Sequence, residues 1–423
     1  MSSDVGGGVF NECTVDNQDI KALVTQLDYF ESIYSTAASC NITLSDGSGF
    51  HEKAKLKGGE EVSINFAGRS GDSIRMKFKV ERVTDRIRAK DNLDMYLIVA
   101  VPQEMIDNHR KDVAKAYNNK KISEMVKEWH DDYVKESNTI KKDLVTNEET
   151  KGNQNYVGTG RSPTTAIRWA AKEGMSSESK ASNYLYYQDR DGYHFKTIDS
   201  MLKGSETATF NYASQNIGSA GADDASKNII SFDQQQDFNE LESNENGASS
   251  EHVYYYDPLV GKIDSVPKKG KRDGAGDTNH TGKDNLTEDK KSDTGAVRSF
   301  IIAPGASAKD SGFVKARDPK AIETKRTLPE HAAQSSAALQ LDNLIMNIRV
   351  PGDTSLKVGT KIRINIPSNQ EGTKTDPRSG VYLVTAIRHV LYKEVQDVKY
   401  NCILECKSDS QANKQSTPSG VAS

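Results

Sequence analysis

Residues 74–80 read IRMKFKV, and their strict alternation of apolar and basic side chains decides the fold class. Apolar residues at every second position predict a β-strand with one side in a core and the other in water. In this strand the basic residues Arg75, Lys77 and Lys79 are expected to face water. Such a one-sided pattern is typical of an antiparallel sheet.

The neighbouring segments extend this sheet over the first hundred residues. Residues 62–66 (VSINF) repeat the alternation, and the turn-rich residues 67–72 (AGRSGD) join the two segments as a predicted hairpin. Residues 95–101 (MYLIVAV) are apolar at every position, which predicts a strand buried on both faces. Residues 1–102 are therefore predicted to form an N-terminal β-barrel or sandwich.

A mixed helical and hairpin connector is predicted over residues 103–204. The apolar period changes to that of a helix over residues 103–136. A further helix is predicted to start at Ser162 and Pro163, because the serine hydroxyl can cap free amides and proline suits the first turn. Residues 184–195 predict an aromatic hairpin, which a short helix follows.

The C-terminal part returns to strands after a polar stretch. Residues 205–338 are mostly polar with short strand patterns. Within them residues 262–298 are predicted to be an insertion that is either a long exposed loop or ordered only against partners. Residues 339–410 alternate again, most strictly in KIRINI at 361–366, and predict a second β-domain. Residues 411–423 predict a flexible tail. The fold class is therefore α+β, with two related β-domains on either side of a mixed centre.

Composition and charge exclude several classes of function. Lys and Arg number 56 against 60 Asp and Glu, so a net charge of -4 supplies no basic field that would hold nucleic acid or an anionic membrane. The start of the chain lacks the pattern of a signal peptide, and no apolar run approaches the ~20 residues of a membrane-spanning helix. Four cysteines in so long a chain predict no disulfide framework. A soluble protein made in a cytoplasm is expected.

Two short motifs could carry chemistry but favour structural interpretations. The run DRDG at 189–192 is similar to part of a calcium loop, yet position twelve is Ser200 rather than a glutamate, so a hairpin turn is predicted. The run GTGRS at 158–162 precedes a helix and could hold an anion on its amides. It lacks the lysine and the spacing of a phosphate loop.

The remaining candidates point away from a metal or an active site. Cys402 and Cys406 would share one strand face about 13 Å apart, at ~3.3 Å per residue, which is too far to bind one ion and predicts buried thiols. The eight histidines show no ligand spacing, and the basic run at 268–272 has aspartates around it and predicts a solvated loop. No catalytic residue, cofactor or metal is predicted. A glycosidase carboxylate pair, which would meet only in space, stays open.

Five stretches of the sequence occur in the order of a known family. LDYFESI at 27–33, ITLSD at 42–46 and LKGGEEV at 56–62 are similar to the opening of a tail-tube-like domain. The aromatic hairpin and helix at 184–202 and the strand SGVYLVTAIRH at 379–389 follow in the same order. The chain thus resembles the trimeric baseplate hub proteins of contractile-tailed bacteriophages.

The resemblance implies two tail-tube-like β-barrels in each subunit, so that a homotrimer forms a pseudo-sixfold ring between the hexameric tail tube and the trimeric central spike. The implied partners are the tail tube protein, the spike protein, and baseplate wedge or other hub proteins. The implied location is the tail baseplate of the virion, after assembly in the cytoplasm of the host bacterium, with no stable membrane association and no enzymatic role.

Three readings of the basic strand face stay open within this resemblance. Arg75, Lys77 and Lys79 could line a lumen through which DNA passes transiently, meet acidic neighbours across a ring contact, or face solvent. Two alternative functions also stay open. They are the hub of a related contractile injection system that carries no genome, and a tail-associated cell-wall hydrolase.

Overall fold

Mostly antiparallel strands, with few helices between them, form this protein. The computed structural model describes residues 6–68, 72–135, 143–179, 183–212, 226–237, 251–258, 261–268, 281, 284–285, 297–302, 341–342, 344–368, 376–394 and 397–411. Its strands are β1 (Val9–Val15), β2 (Gln18–Asp19), β3 (Val24–Ser32), β4 (Ser39–Asp46), β5 (Glu61–Ala67), β6 (Ser73–Lys90), β7 (Leu93–Val101), β8 (Ala116–Lys120), β9 (Leu144–Asn147), β10 (Gln154–Val157), β11 (Tyr184–Asp189), β12 (Gly192–Thr197), β13 (Glu206–Asn211), β14 (Ser231–Asp237), β15 (Glu251–Asp257), β16 (Lys262–Lys268), β17 (Asp284–Asn285), β18 (Val297–Ile302), β19 (Leu344–Pro351), β20 (Lys361–Asn365), β21 (Gly380–Glu394), β22 (Asp397–Ser408) and β23 (Ser410–Gln411).

The helices are short and lie mainly in the connector. They are α1 (Phe50–Ala54), α2 (Gln103–Asn108), α3 (Ile122–Trp129), α4 (Pro163–Glu173) and α5 (Ile198–Lys203), and the π-helical turn His130–Val134 follows α3. Within the described residues, none of these helices has both the length and the apolar character needed to cross a lipid bilayer.

One large sheet joins the N-terminal strands to the C-terminal strands. Its strand order is β14-β19-β22-β21-β3-β4-β7-β6-β5-β1-β2, and β20 pairs with both β13 and β21. The long strand β21 changes partner along its length, because residues 380–383 pair with β20 and residues 386–392 pair with β3. A bulge between Val384 and Ala386 lies at the change. We therefore distinguish two strand sets that share β21 and β22. The N-terminal set contains β1 to β7, and the C-terminal set contains β13, β14, β19 and β20.

Isolated bridges link the outer strands of each set. Gly7, just before β1, bridges Lys399 of β22, and Asn211 at the end of β13 bridges Asn228 just before β14. These contacts are single bridges rather than ladders, so the assigned strands of the described residues follow an open path. The alternating segments give the predicted mainly antiparallel architecture.

The core lies where the alternation predicts it. In β6 the apolar positions Ile74, Met76, Phe78 and Val80 are at most 2% exposed, and β6 pairs with β5 as the predicted hairpin. The prediction that residues 95–101 are buried on both faces is wrong. Only Tyr96, Ile98 and Ala100 turn to the core, while the alternate side chains are half-buried or exposed.

The connector has a second core around the fully buried Trp129. Its ring lies 5.8 Å from that of Tyr117 and 5.1 Å from that of Tyr156. The predicted stripe of α3 is confirmed by its buried positions Ile122, Met125, Val126 and Trp129. A continuous helical connector over residues 103–136 is wrong, because β8 interrupts it and pairs with β10.

The ends of α4 and α5 differ in how they are capped. α4 begins at Pro163 as predicted, but Ser162 caps no amide, since its hydroxyl lies 2.8 Å from the hydroxyl of Thr165. α5 is capped by Thr197, whose Oγ1 accepts a hydrogen bond of 3.1 Å from the amide of Ser200.

Ordered backbone lies within the stretch 262–298 that the sequence predicts as an exposed loop. β16 pairs with β15 over its whole length, and β17 pairs with β23. Thr281 is buried, and its amide donates to Asp409 Oδ1 at 3.0 Å. The prediction is therefore wrong for these residues. The rest of the stretch, and the predicted tail beyond residue 411, lie outside the described residues.

Candidate assembly surface

The side of β6 and β7 that points away from the core, here named the outer face, combines cations with apolar side chains. Its members are Arg75, Lys77, Lys79, Ile87, Met95, Leu97, Val99 and Val101. The three basic residues predicted to face outward do so.

The cations of the outer face are only partly compensated. Lys77 Nζ lies 2.7 Å from Glu61 Oε1, with both side chains about one third exposed. In the strand register, Glu61 also stands opposite Lys79, and Arg75 stands opposite the uncharged Asn65. An ion pair at this exposure contributes ~0–1 kcal/mol to folding. Glu12 of β1 stands opposite Asn65 on the same side of the sheet, so three cations and two carboxylates leave this part of the face slightly positive.

Apolar side chains continue the outer face along β7. Met95 is 37% exposed, and Ile87, its cross-strand partner, is 64% exposed. Leu97, Val99 and Val101 are half-buried. The outer face therefore carries exposed and half-buried apolar side chains beside its cations.

β6 and β7 extend beyond the edge of β5. On the β5 side, backbone hydrogen bonds within the described residues reach Val80, which bonds to residues 59 and 60, whereas β6 and β7 stay paired to residues 90 and 93. Asp94 holds this extension, because it accepts hydrogen bonds from Arg86 Nη2 at 2.6 Å and from Arg88 Nε at 3.2 Å. The hydrogen bond from Arg86 keeps the pKa of Asp94 below its ordinary value.

A buried cluster of charged groups lies where the connector meets β3. Glu31 of β3 is 1% exposed, and its Oε1 accepts a hydrogen bond of 2.8 Å from the hydroxyl of Tyr29. Burial, together with the nearby Asp189 carboxylate, raises the pKa of Glu31 to about 8. Asp189 Oδ1 lies 3.0 Å from His194 Nε2. Burial opposes ionisation of Asp189, but hydrogen bonds from His194 and from turn amides outweigh it and lower the pKa of Asp189.

His389, on the neighbouring strand β21, extends this cluster into the core. Its Nδ1 lies 2.7 Å from the hydroxyl of Tyr400 and 3.4 Å from Cys402 Sγ, and its ring stacks on Tyr29 at 5.6 Å. Burial lowers the pKa of His389 to about 3. Cys402 and Cys406 are fully buried free thiols, as predicted. No group of three or more His, Cys, Asp or Glu among the described residues is arranged to hold a metal ion.

The two loop motifs have structural roles. In the run 189–192, Asp189 Oδ1 accepts hydrogen bonds from the amides of Asp191 at 2.8 Å and Gly192 at 3.1 Å, which confirms the hairpin turn. In the run 158–162, the amide of Gly158 donates to the Lys115 carbonyl at 2.9 Å, so it is not presented to an anion. Residues 269–272 of the basic run lie outside the described residues.

The sequence does not predict that the carboxyl groups of Glu31 and Asp189 lie close together. Residues 27–33 do carry a signal, because Leu27, Tyr29, Glu31 and Ile33 alternate, which puts a carboxylate among inward-facing positions. What the sequence could not supply is the partner, which reaches β3 only through the folding of the connector hairpin.

Comparison with known proteins identifies the fold. No protein-family model matches the chain, and no curated protein matches it by sequence. The tail protein from Neisseria meningitidis MC58 aligns with a TM-score of 0.56 at 10% identity, over 95% of this chain and 97% of that chain. The 43 kDa tail protein of prophage MuSo2 from Shewanella oneidensis aligns with a TM-score of 0.54 at 10% identity, over 96% of this chain and 99% of that chain.

This chain has the fold of a phage tail protein. A component of the type VI secretion system of E. coli also aligns, with a TM-score of 0.46 at 9% identity, over 95% of this chain and 77% of that chain. The similarity to phage tail proteins that the sequence indicates is confirmed at the level of the fold.

Proposed function

We propose that this chain is the structural hub of a contractile phage tail baseplate. Three copies form a ring that adapts the hexameric tail tube to the trimeric central spike. The observation that carries the proposal is that one chain of phage-tail fold contributes two sets of strands, joined through β21 and β22. Three such chains offer six comparable strand sets to a sixfold tube while keeping the threefold symmetry of a spike.

Each strand set, in this proposal, is a tail-tube-like barrel. The bridges of Gly7 with Lys399 and of Asn211 with Asn228 support this, because they link the outer strands of each set. The division into units 1–102, 103–204, 205–338 and 339–410, followed by the tail 411–423, stays a prediction.

The proposed partners follow from the position of a hub. They are the tube protein, the spike protein and baseplate wedge or other hub proteins, with transient passage of DNA through the lumen and a location in the virion tail. The role is structural rather than enzymatic. The burial of the Glu31 and Asp189 carboxyl groups supports this, since a hydrolase would need such a pair open to a substrate.

The outer face is the proposed contact between copies. Its apolar row Met95, Leu97, Val99 and Val101 explains why β7 is apolar on both sides although only one side lies in the core of a single chain. Arg75 and Lys79 lie beside this row and add positive charge to the proposed contact. We assign them to a ring contact rather than to the lumen.

The first experiment is the mass of the purified chain in solution, by light scattering at several concentrations. A mass near three times the 46.5 kDa chain is expected. A monomer at every concentration, which also stays monomeric with the tube and spike proteins added, contradicts the hub. The purified protein would then be assayed for hydrolysis of cell-wall glycans.

The second experiment tests the outer face. The double variant Arg75→Glu/Lys79→Glu keeps the Lys77 to Glu61 ion pair and reverses the charge of the face. The expected result is a shift from trimer to monomer in sedimentation velocity, with an unchanged far-UV circular dichroism spectrum. The matched control is Arg168→Glu/Lys172→Glu on the exposed side of α4, which should stay trimeric. Equal assembly of both variants would remove the outer face from the contact.

A further inference from the structure

β11 and β12 form the connector hairpin, and the turn of this hairpin lies between the two strand sets. On one side of the turn lie Tyr29 and Glu31 of β3, and on the other lie residues 353–359. Arg190 Nη2 donates to the Ser355 carbonyl at 3.2 Å, and Asp191 forms an ion pair with Lys357. The turn therefore contacts both β3 and the segment between β19 and β20.

The two carboxyl groups at this point have unequal surroundings. His194 and two amides of its own turn stabilise the ionised carboxylate of Asp189. Glu31 Oε1 accepts a hydrogen bond from the Tyr29 hydroxyl, and its buried Oε2 accepts none of ordinary geometry. The amide and guanidinium of Arg190 favour the ionised form of Glu31, but burial and the negative charge of Asp189 outweigh them. A proton on Glu31 removes the cost of the buried charge and its repulsion by Asp189.

We propose that this junction is a proton-dependent latch, in which the connector hairpin docks on β3 while Glu31 carries a proton and loosens when Glu31 ionises beside Asp189. The inference goes beyond the hub role, because it concerns the joint within one chain rather than the contact between chains.

The titratable and charged groups that face Glu31 come from every element packed against it. They are Tyr29 on β3, Tyr187, Asp189, Arg190 and His194 on the hairpin, His389 on β21, and Tyr400 and Cys402 on β22. Burial raises the pKa values of the tyrosines and of Cys402 and lowers that of His389 to about 3, so these groups stay neutral between pH 6 and 9. Asp189 stays ionised throughout this range, because its pKa is lowered.

The sign of the effect follows from proton linkage. With Glu31 near its ordinary pKa in the unfolded chain and near 8 in the docked state, the docked state binds one more proton between about pH 4.3 and 8. Stability therefore falls up to about tenfold in the folding equilibrium constant per pH unit in that range. Burial of His389 has the opposite slope, but only below its unfolded pKa of ~6.5, so His389 does not contribute from pH 6.5 to 8.

The chain offers a selective reporter for this joint. Its two tryptophans, Trp129 and Trp169, both lie in the connector, so tryptophan fluorescence follows the connector alone. Urea unfolding of the full chain is followed in this way at pH 6 and pH 8 for three proteins. They are the parent, Glu31→Gln, which imitates the protonated carboxyl, and the control Glu52→Gln, whose side chain is 74% exposed.

The expected result is that the folding equilibrium constant of Glu31→Gln, relative to the parent, rises about fifty-fold from pH 6 to pH 8. The same ratio for Glu52→Gln should not change by more than about twofold. Parallel pH dependences of Glu31→Gln and the parent would overturn the latch. If Glu31→Gln does not fold, the parent alone decides, because fluorescence-detected stability that is constant from pH 6.5 to 8 also overturns the proposal.

Discussion

Replacement of Gly352 by alanine should destabilise the strand pair that the two strand sets share. Gly352 follows β19, and a Cβ at this position would stand 2.1 Å from both Cδ1 and Cγ of Tyr400. Carbon atoms that are not bonded approach each other to about 3.5 Å. The Tyr400 ring, or the backbone at residue 352, must therefore move by more than about 1 Å to admit one methyl group.

The Tyr400 ring has little room for this movement. It is fully buried, its hydroxyl lies 2.7 Å from His389 Nδ1, and its ring packs edge-on against Phe66 at 5.8 Å. Overpacking of a core costs about 1–3 kcal/mol, and a distorted buried hydrogen bond adds about 1 kcal/mol. We expect the free energy of unfolding to fall by about 2–4 kcal/mol.

Urea denaturation followed by far-UV circular dichroism measures this loss. The control is Gly47→Ala, since a Cβ there meets its nearest atom at an ordinary 3.6 Å, and its effect should stay within about 0.5 kcal/mol. A second test uses the Tyr400→Ala background, in which Gly352→Ala should cost almost nothing. The reasoning is refuted if Gly352→Ala is as stable as Gly47→Ala, or if its cost is the same without the tyrosine ring.

Three further predictions concern single groups. Burial opposes ionisation of Asp46, but hydrogen bonds from the amides of Phe50 and His51 and from the Ser48 hydroxyl outweigh it and lower the pKa of Asp46 to about 2. Asp46→Asn should therefore reduce the free energy of unfolding by about 1–2 kcal/mol at pH 7, measured by urea unfolding. The difference should shrink as the pH falls from 4 to 2, because Asp46 then becomes protonated in the parent. Thr197→Ala should cost about 1–2 kcal/mol by loss of the α5 cap, with Thr197→Ser close to the parent in the same assay. The four buried cysteines should not react with a thiol reagent in the native protein at pH 8 and should all react in denaturant, and one fast native thiol would contradict their burial.

The strands were predictable where apolar and polar side chains alternate strictly, because one face is then buried and the other exposed. Residues 74–80 and 361–366 alternate strictly, and in both segments the apolar positions are buried. β6 has antiparallel partners on both sides, whereas β20 pairs antiparallel with β21 and parallel with β13. Hydrophobic period reports the environment of each side chain directly, so such segments need no knowledge of the rest of the chain. β8 was missed for the opposite reason, because AYNNK has no period and is held as a strand only by its pairing with β10.

Only one part of the outer face could be predicted from the sequence. The outward direction of Arg75, Lys77 and Lys79 follows from the alternation, whereas the exposure of the second face of β7 does not, since an apolar run on both faces is the same for a strand buried in its own chain and one covered by another copy. The pairing of Glu31 with Asp189 depends on tertiary docking of two segments far apart in sequence. No local pattern contains it.

The shared strands also decide which part of this chain can move. β21 keeps its ladder with β22 from Leu383 to Glu394, across the bulge at which its other partner changes from β20 to β3. A continuous ladder between two strand sets resists a hinge, because bending there would break several backbone hydrogen bonds at once. The connector is joined to the strand sets by the turn of its hairpin and by α5, whose Ile198, Met201 and Leu202 lie in the core of the large sheet. If the hub transmits a change from tube to spike, the two strand sets should move as one body, and a movement of the connector against them must separate α5 from that core as well as the turn from β3.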